Sequence, residues 1–151
     1  MTCSIITPDK TREFAAISEV YLPTESGIIG VLPGHEALIT HLRAGEVRVK
    51  EKENGQFHAY AISGGFADVK PDTLKILVQT AEHSDEIDVM KAEEARQEAE
   101  RLMAEAEEDV HFGDAEALLQ RNIARLKVAE RHQKHHVPGR HRRPELPPST
   151  Y

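Results

Sequence analysis

The 151-residue sequence predicts a β + α chain: a β region over 1–86, a two-helix hairpin over 87–131 and a disordered tail over 132–151. Three observations predict it. Seven of the nine glycines and most β-branched residues fall within the first 86 positions. Residues 87–131 hold one glycine, no proline and dense Ala, Glu and Arg. The last stretch carries four of the eight prolines and four of the nine histidines, with almost nothing apolar to pack.

Within the β region, Glu46-Val47-Arg48-Val49-Lys50 alternates charged and apolar side chains, as a half-buried strand does. Leu74-Lys75-Ile76-Leu77-Val78 is more continuously apolar and reads as a strand covered on both sides. Asn54-Gly55 is a hairpin signal, because both residues accept positive φ. Gly64-Gly65 and Pro71-Asp72 read as further turns. Turns at intervals of roughly 8–12 residues favour a sandwich or a barrel over βαβ units.

In the helical region, Asp88 is placed to cap the first arm. Ala92, Ala95, Ala99, Leu102, Met103 and Ala106 form a narrow stripe of mostly small side chains on it. The pattern breaks over 109–114, where Gly113 can turn the chain and Asp114 can cap a second arm. Ala115, Leu119, Ile123 and Leu126 repeat the spacing there. A short connection makes the arms antiparallel neighbours. Small side chains let helices approach closely but bury little area, at roughly 25 cal/mol per Å², so the hairpin is expected to dock weakly.

Composition excludes several functions. Net charge is −7, and a nucleic-acid binder needs Lys and Arg for phosphate contacts. The charge is uneven: residues 1–86 and 87–131 each carry −5, and 132–151 carry +3. Cys3 is the single cysteine, which rules out an internal disulfide and a cysteine-rich zinc site. The longest apolar runs fall far short of a membrane span. The N-terminus lacks a signal-peptide pattern, so an intracellular protein is expected.

Candidate chemistry is sparse. His35 and His41 bracket Glu36, but a zinc-protease helix needs histidines at i and i+4, and Ile39 occupies that place. Ser63-Gly64-Gly65-Phe66 lacks the following helix, Lys and Ser/Thr of a phosphate loop and fits a β-turn. Ser63 lacks a nucleophile elbow. The tail histidines have no core to fix metal geometry, and no catalytic or metal residue is assigned. Arg121 with Arg125, and Lys127 with Arg131, share helical faces. They form either a solvated face or a docking stripe for an acidic partner or a phosphate.

A series of motifs then becomes recognisable: Thr7-Pro8-Asp9, Leu22-Pro23-Thr24, Gly27-Ile28-Ile29-Gly30-Val31-Leu32-Pro33-Gly34-His35, Ser63-Gly64-Gly65-Phe66, Val69-Lys70-Pro71-Asp72, Ala81-Glu82 and Ile87-Asp88. The chain resembles the epsilon subunit of bacterial F-type ATP synthase over about residues 3–131. The resemblance implies a ten-stranded β-sandwich and a C-terminal helical hairpin. It implies a non-catalytic place in the central stalk, bound to the gamma subunit and resting on the c-ring, with transient contact to the alpha and beta subunits. It also implies peripheral attachment at the cytoplasmic face of the bacterial plasma membrane.

Several residue roles follow from the resemblance alone. The loop Gly27, Ile28, Ile29, Gly30 and the turn Pro33, Gly34, His35 would face the c-ring. Some relatives carry an acidic residue where this chain has Ile28. Arg121, Arg125, Lys127 and Arg131 would meet acidic residues of the catalytic head when the hairpin extends and blocks rotation. Glu82, Asp88, Lys91, Ala92, Arg121 and Arg125 match a regulatory ATP site of some relatives. Lys91 stands in for an arginine there and loses its planar fork, so weak ATP binding or none is expected. No cofactor is required.

Overall fold

A computed structural model describes residues 1–105 and 112–135. The expected break at 109–111 and the tail beyond His135 lie outside the described residues.

Eight strands precede the helices: β1 Thr2–Ile6, β2 Thr11–Phe14, β3 Ile17–Thr24, β4 Gly27–Val31, β5 Leu38–Glu51, β6 Phe57–Val69, β7 Thr73–Val78 and β8 Ala81–His83. The count is eight, not ten, because two long continuous strands, β5 and β6, each serve both layers of the sandwich. Hydrogen bonding runs in the order β2-β1-β7-β6-β5-β3-β4, with β8 also on β6. On one side of β6, residues 60–62 pair with β8 and residues 65–69 with β7. The partner changes at Ser63-Gly64, and there the sheet folds over on itself.

The glycines permit this fold. Gly64 and Gly65 have φ of +99° and +149°, and they lie inside β6 rather than in a turn. A Cβ on Gly65 would stand 2.0 Å from the Leu77 carbonyl oxygen. The other turn signals hold. Chain reversal at 52–56 joins β5 to β6 through Asn54 and Gly55, the latter at φ +66°. Lys70 donates its N–H to the Thr73 carbonyl across the Pro71-Asp72 turn.

The core lies between the layers. Val20, Leu22, Val31, Val47, Val49, Tyr60 and Ile62 face Cys3, Ile5, Ala67, Val69, Leu74, Ile76 and Val78. Each fully buried aliphatic contributes about 1.5–3 kcal/mol, which offsets the scarcity of aromatics. Strand β5 alternates at 46–50 as expected, with Val47 and Val49 inward. Strand β7 also alternates strictly, leaving Lys75 and Leu77 exposed. It is fully covered on one face only, where the second layer packs against Leu74, Ile76 and Val78; on the other face Leu77 stays half exposed at a groove shared with the first turns of the second helix. Burial pushes the Cys3 thiol up to about 12.

A 3-10 turn, Ser84–Glu86, leads to α1 Val89–Glu105 and then α2 Phe112–His135. Asp88 caps α1, accepting the Lys91 N–H at 3.1 Å, while its carbonyl accepts the Ala92 N–H. Helix α2 begins at Phe112, so Gly113 and Asp114 sit in its first turn rather than before it. It also runs on to His135, into the stretch read as tail. Helix α1 packs mainly on α2, and α2 packs on β5, β6 and the 3-10 turn.

The small-residue seam is real but differently composed. Ala92 and Ala99 of α1 and Ala115, Ala124, Val128 and Ala129 of α2 are buried. Leu119, Ile123 and Leu126 are only half-buried and Leu102 is exposed. Helix α2 is covered on two sides, so its tightest positions go to the smallest side chains. Ala59 and Ala61, which alternate with the core residues Tyr60 and Ile62, give the floor on β6 its low relief.

Candidate functional site

The junction between α2 and the sandwich is held by ion pairs laid over the alanine seam. Arg125 makes a fork onto Glu82 of β8, Nε to Oε2 at 2.5 Å and Nη2 to Oε1 at 3.0 Å. Both side chains are more than three-quarters buried, so the pair is worth more than a surface contact. Asn122, buried one turn earlier, accepts from Arg125 Nη1 at 3.1 Å and donates to the Leu118 carbonyl. Arg131 pairs with Glu46 of β5. His132 Nε2 stands 2.7 Å from Asp85 Oδ1 in the 3-10 turn.

The start of the hairpin is also fixed. Burial opposes the charge on Glu86, but hydrogen bonds from Arg12 and the His83 backbone, with Arg12 and Lys10 nearby, hold its carboxyl below the usual range. The Lys91 backbone N–H does the same for Asp88.

The residues of the expected ATP site fall into two groups. Glu82 and Arg125 are paired with each other. Asp88, Lys91 and Ala92 form the first turn of α1, with Lys91 Nζ 3.7 Å from Asp88 and Ala92 buried against α2. No hydrogen bond or ion pair among the described residues links the groups, and Arg121 joins neither. Arg125 and Arg131, half of the expected docking stripe, are engaged by the chain's own Glu82 and Glu46. Among the described residues, Arg121 and Lys127 make no ion pair. Sequence reasoning missed Glu46, Asp85 and Asn122. Their only signal is polarity, since nothing in the sequence ties strand to helix.

At the other candidate surface, Gly27, Ile28, Ile29 and Gly30 belong to strand β4, not to a loop, because the segment pairs in register with β3. It is an edge strand, at the opposite end of the order from β2. Ile28 is 67% exposed, Ile29 packs on the core, and a Cβ on Gly30 would meet the Tyr21 ring at 3.6 Å, an ordinary contact. Pro33, Gly34 and His35 do form a turn. The His35 N–H donates to the Leu32 carbonyl, and the Gly34 N–H donates to Pro71, tying this turn to the β6–β7 turn. Leu32, Leu38 and Ile39 around it are exposed.

His35 lies on this turn and His41 on β5, 3.3 Å from Glu25, so they share no helical face. Ser63 Oγ accepts the Thr80 N–H at 3.1 Å inside β6. Among the described residues, no three His, Cys, Asp or Glu side chains are grouped to hold a metal, and no helix is long and apolar enough to cross a membrane.

Two family descriptions divide the chain as its architecture does. One, "ATP synthase, Delta/Epsilon chain, beta-sandwich domain", matches residues 1–84. The other, "ATP synthase, Delta/Epsilon chain, long alpha-helix domain", matches residues 85–130. Fold and junction thus define a class, the non-catalytic sandwich-and-hairpin stalk subunits of ATP synthases. The ATP synthase epsilon chain of Syntrophobacter fumaroxidans is 42% identical over 127 residues, 84% of this chain and 93% of that one. The epsilon chain of Moorella thermoacetica is 43% identical over 129 residues, 85% and 96% respectively. A chain in the Euglena gracilis mitochondrial ATP synthase, from an assembly of OSCP, F1 and c-ring, matches with a TM-score of 0.71 at 28% identity, covering 85% of this chain and 79% of that one. The chain belongs to the ATP synthase delta/epsilon family.

Proposed function

We propose that the chain is a rotor subunit of the central stalk, with a sandwich that couples and a hairpin that regulates. The sandwich binds gamma and rests on the c-ring, so that ion flow through the ring drives rotation and ATP synthesis. The hairpin leaves the sandwich, reaches the alpha and beta subunits and inhibits ATP hydrolysis. Association with the membrane is peripheral, through the complex, at the cytoplasmic face of the bacterial plasma membrane. The observation that carries this reading is the junction itself. Helix α2 is held by small side chains and a few ion pairs, whereas the sandwich core is complete without it.

Other features support the partners. Exposed Phe66 and Leu77, paired across β6 and β7, offer apolar surface for gamma. Ile28, Leu32 and Ile39 do the same near β4 for the ring. Pull-down with the organism's gamma subunit is expected to retain the full chain and the chain ending at Glu86 equally. Failure of both to bind would remove the stalk assignment.

ATP enters the proposal as a weak regulatory ligand. Glu82 already occupies the Arg125 fork, and Lys91 offers a point charge rather than a planar one. Isothermal titration is expected to give a Kd in the millimolar range or no heat. A micromolar Kd would contradict the argument from Lys91.

A further inference from the structure

The geometry points to a second protein-docking surface, on the outer face of the sandwich layer that α2 half covers. There an aromatic platform holds Arg48 ready for a carboxylate flanked by apolar side chains on a neighbouring subunit. The inference deepens the proposed stalk role and rests on it for the assembly in which the partner is met.

Helix α2 packs on β5 and β6. Toward β3 and β4 the same face stays open. Pairing in register makes one row of Gly30 of β4, Tyr21 of β3, Arg48 of β5 and Ala59 of β6. The next row holds Glu19, Lys50 and Phe57. These positions point outward, because Val20, Leu22, Val47 and Val49 between them are buried. Arg48 Cζ lies 4.6 Å from the centre of the Tyr21 ring and 5.8 Å from that of Phe57. Two rings hold a guanidinium in place while leaving its N–H groups free to donate. Gly30 and Ala59 end the row with small side chains, so no bulky wall closes it. Phe57 is 44% exposed, and Ile28 continues the apolar surface onto β4. Tyr, Phe and Arg are the side chains enriched at the centres of protein interfaces.

Charge selects the occupant. Glu19 is the carboxylate of the platform, and it is already engaged. Lys50 Nζ donates to one of its oxygens at 2.6 Å and the Tyr21 hydroxyl to the other at 2.9 Å. Those two bonds, Lys50 first, hold its carboxyl below the usual range, and Arg48 adds only a weaker effect through space. Arg48 makes no hydrogen bond or ion pair among the described residues. Its planar fork fits one carboxylate through two parallel bonds.

Other occupants match less well. The stretch 132–151 carries +3 and is repelled by a free arginine. A second copy in two-fold contact would set one unpaired Arg48 against another. An anionic lipid surface is gripped by clusters of about four to eight cations, whereas this face has one to offer on a region, 1–86, of charge −5. A protein segment with a carboxylate between apolar side chains matches the fork and the rings together.

The test places benzoylphenylalanine, which keeps the ring and cross-links under light, at Phe57 of the full chain in the assembled synthase. Phe66, on the outer face of the other layer, carries the same group in a parallel sample. The group at 57 is expected to join another subunit within a few residues of an Asp or Glu. The yield should fall about ten-fold in Arg48→Glu and by less in Arg48→Lys, which keeps the charge but loses the fork. A product at 57 with the chain's own tail, a second copy or lipid overturns the inference. So does a product far from any acidic residue, or a yield unchanged in both Arg48 variants. If 66 joins gamma while 57 joins nothing, the second surface falls and the stalk assignment stands. If neither position joins another subunit, both fall.

Discussion

Gly65→Ala is expected to be the most damaging single-atom change in the sandwich. The added Cβ would meet the Leu77 carbonyl oxygen at 2.0 Å, and that neighbour is backbone of a central strand rather than a movable side chain. The φ of +149° is also one that L-residues rarely adopt. Together the clash and the backbone strain cost on the order of 3 kcal/mol. A domain of this size has only about 5–15 kcal/mol to lose. The readout is the urea midpoint, which should fall sharply at unchanged slope. Gly113→Ala is the control. It lies in α2 with nothing near its Cβ, and helix propensity predicts a gain of up to about 1 kcal/mol. Equal midpoints for the two variants would mean that the bend in β6 does not need a glycine at 65.

Glu82→Ala is expected to have the second large effect, and on function rather than folding. It removes the acceptor of the Arg125 fork without touching the hairpin. An arginine left largely buried without a counter-charge, with Asn122 as its remaining acceptor, then destabilises the docked state by about 2 kcal/mol, roughly thirty-fold in the docked-to-released ratio. The sandwich core does not include Glu82, so its urea midpoint should change little. In the assembled enzyme the released hairpin keeps its cationic face intact, with Arg125 now free alongside Arg121 and Lys127. Inhibition of ATP hydrolysis should therefore deepen. Arg125→Ala would release the hairpin too, but it would also remove a cation from the face that docks, so its effect on hydrolysis is smaller than that of Glu82→Ala.

Much of this architecture is legible in the sequence because its causes are local. Alternation at 46–50 marks an inward Val47 and Val49 whatever lies far away. Asn54-Gly55 and Pro71-Asp72 encode their turns, and Asp88 encodes its cap. What the sequence hides is set by pairing over long distances. The parallel contact of β1 with β7 joins residues about seventy positions apart and has no periodic signature. Gly64-Gly65 reads as a turn because the residues that permit positive φ are the same in a turn and in a bent strand. Leu74 to Val78 reads as covered on both faces because Leu77 is apolar, yet Leu77 is exposed on the free layer.

The candidate site follows the same division. Arg121, Arg125, Lys127 and Arg131 are visible as a cationic pattern on one helix. That Arg125 is spent on Glu82 and Arg131 on Glu46 depends on how α2 crosses the sheet. The alanine seam is legible in α1, but in α2 the apolar spacing picks out the larger Leu119, Ile123 and Leu126 rather than Ala124, Val128 and Ala129, the positions that are buried.

On the proposed function, the hairpin inhibits only after it has left the sandwich. The most direct measurement is the ATP hydrolysis rate of the reconstituted complex carrying one of three chains: wild type, Glu82→Ala, or the chain ending at Glu86. Hydrolysis is expected to be slowest with Glu82→Ala, intermediate with wild type and fastest with the truncated chain, at equal incorporation. Hydrolysis with Glu82→Ala as fast as with the truncated chain would contradict it, because the docked hairpin would then be the inhibitory form.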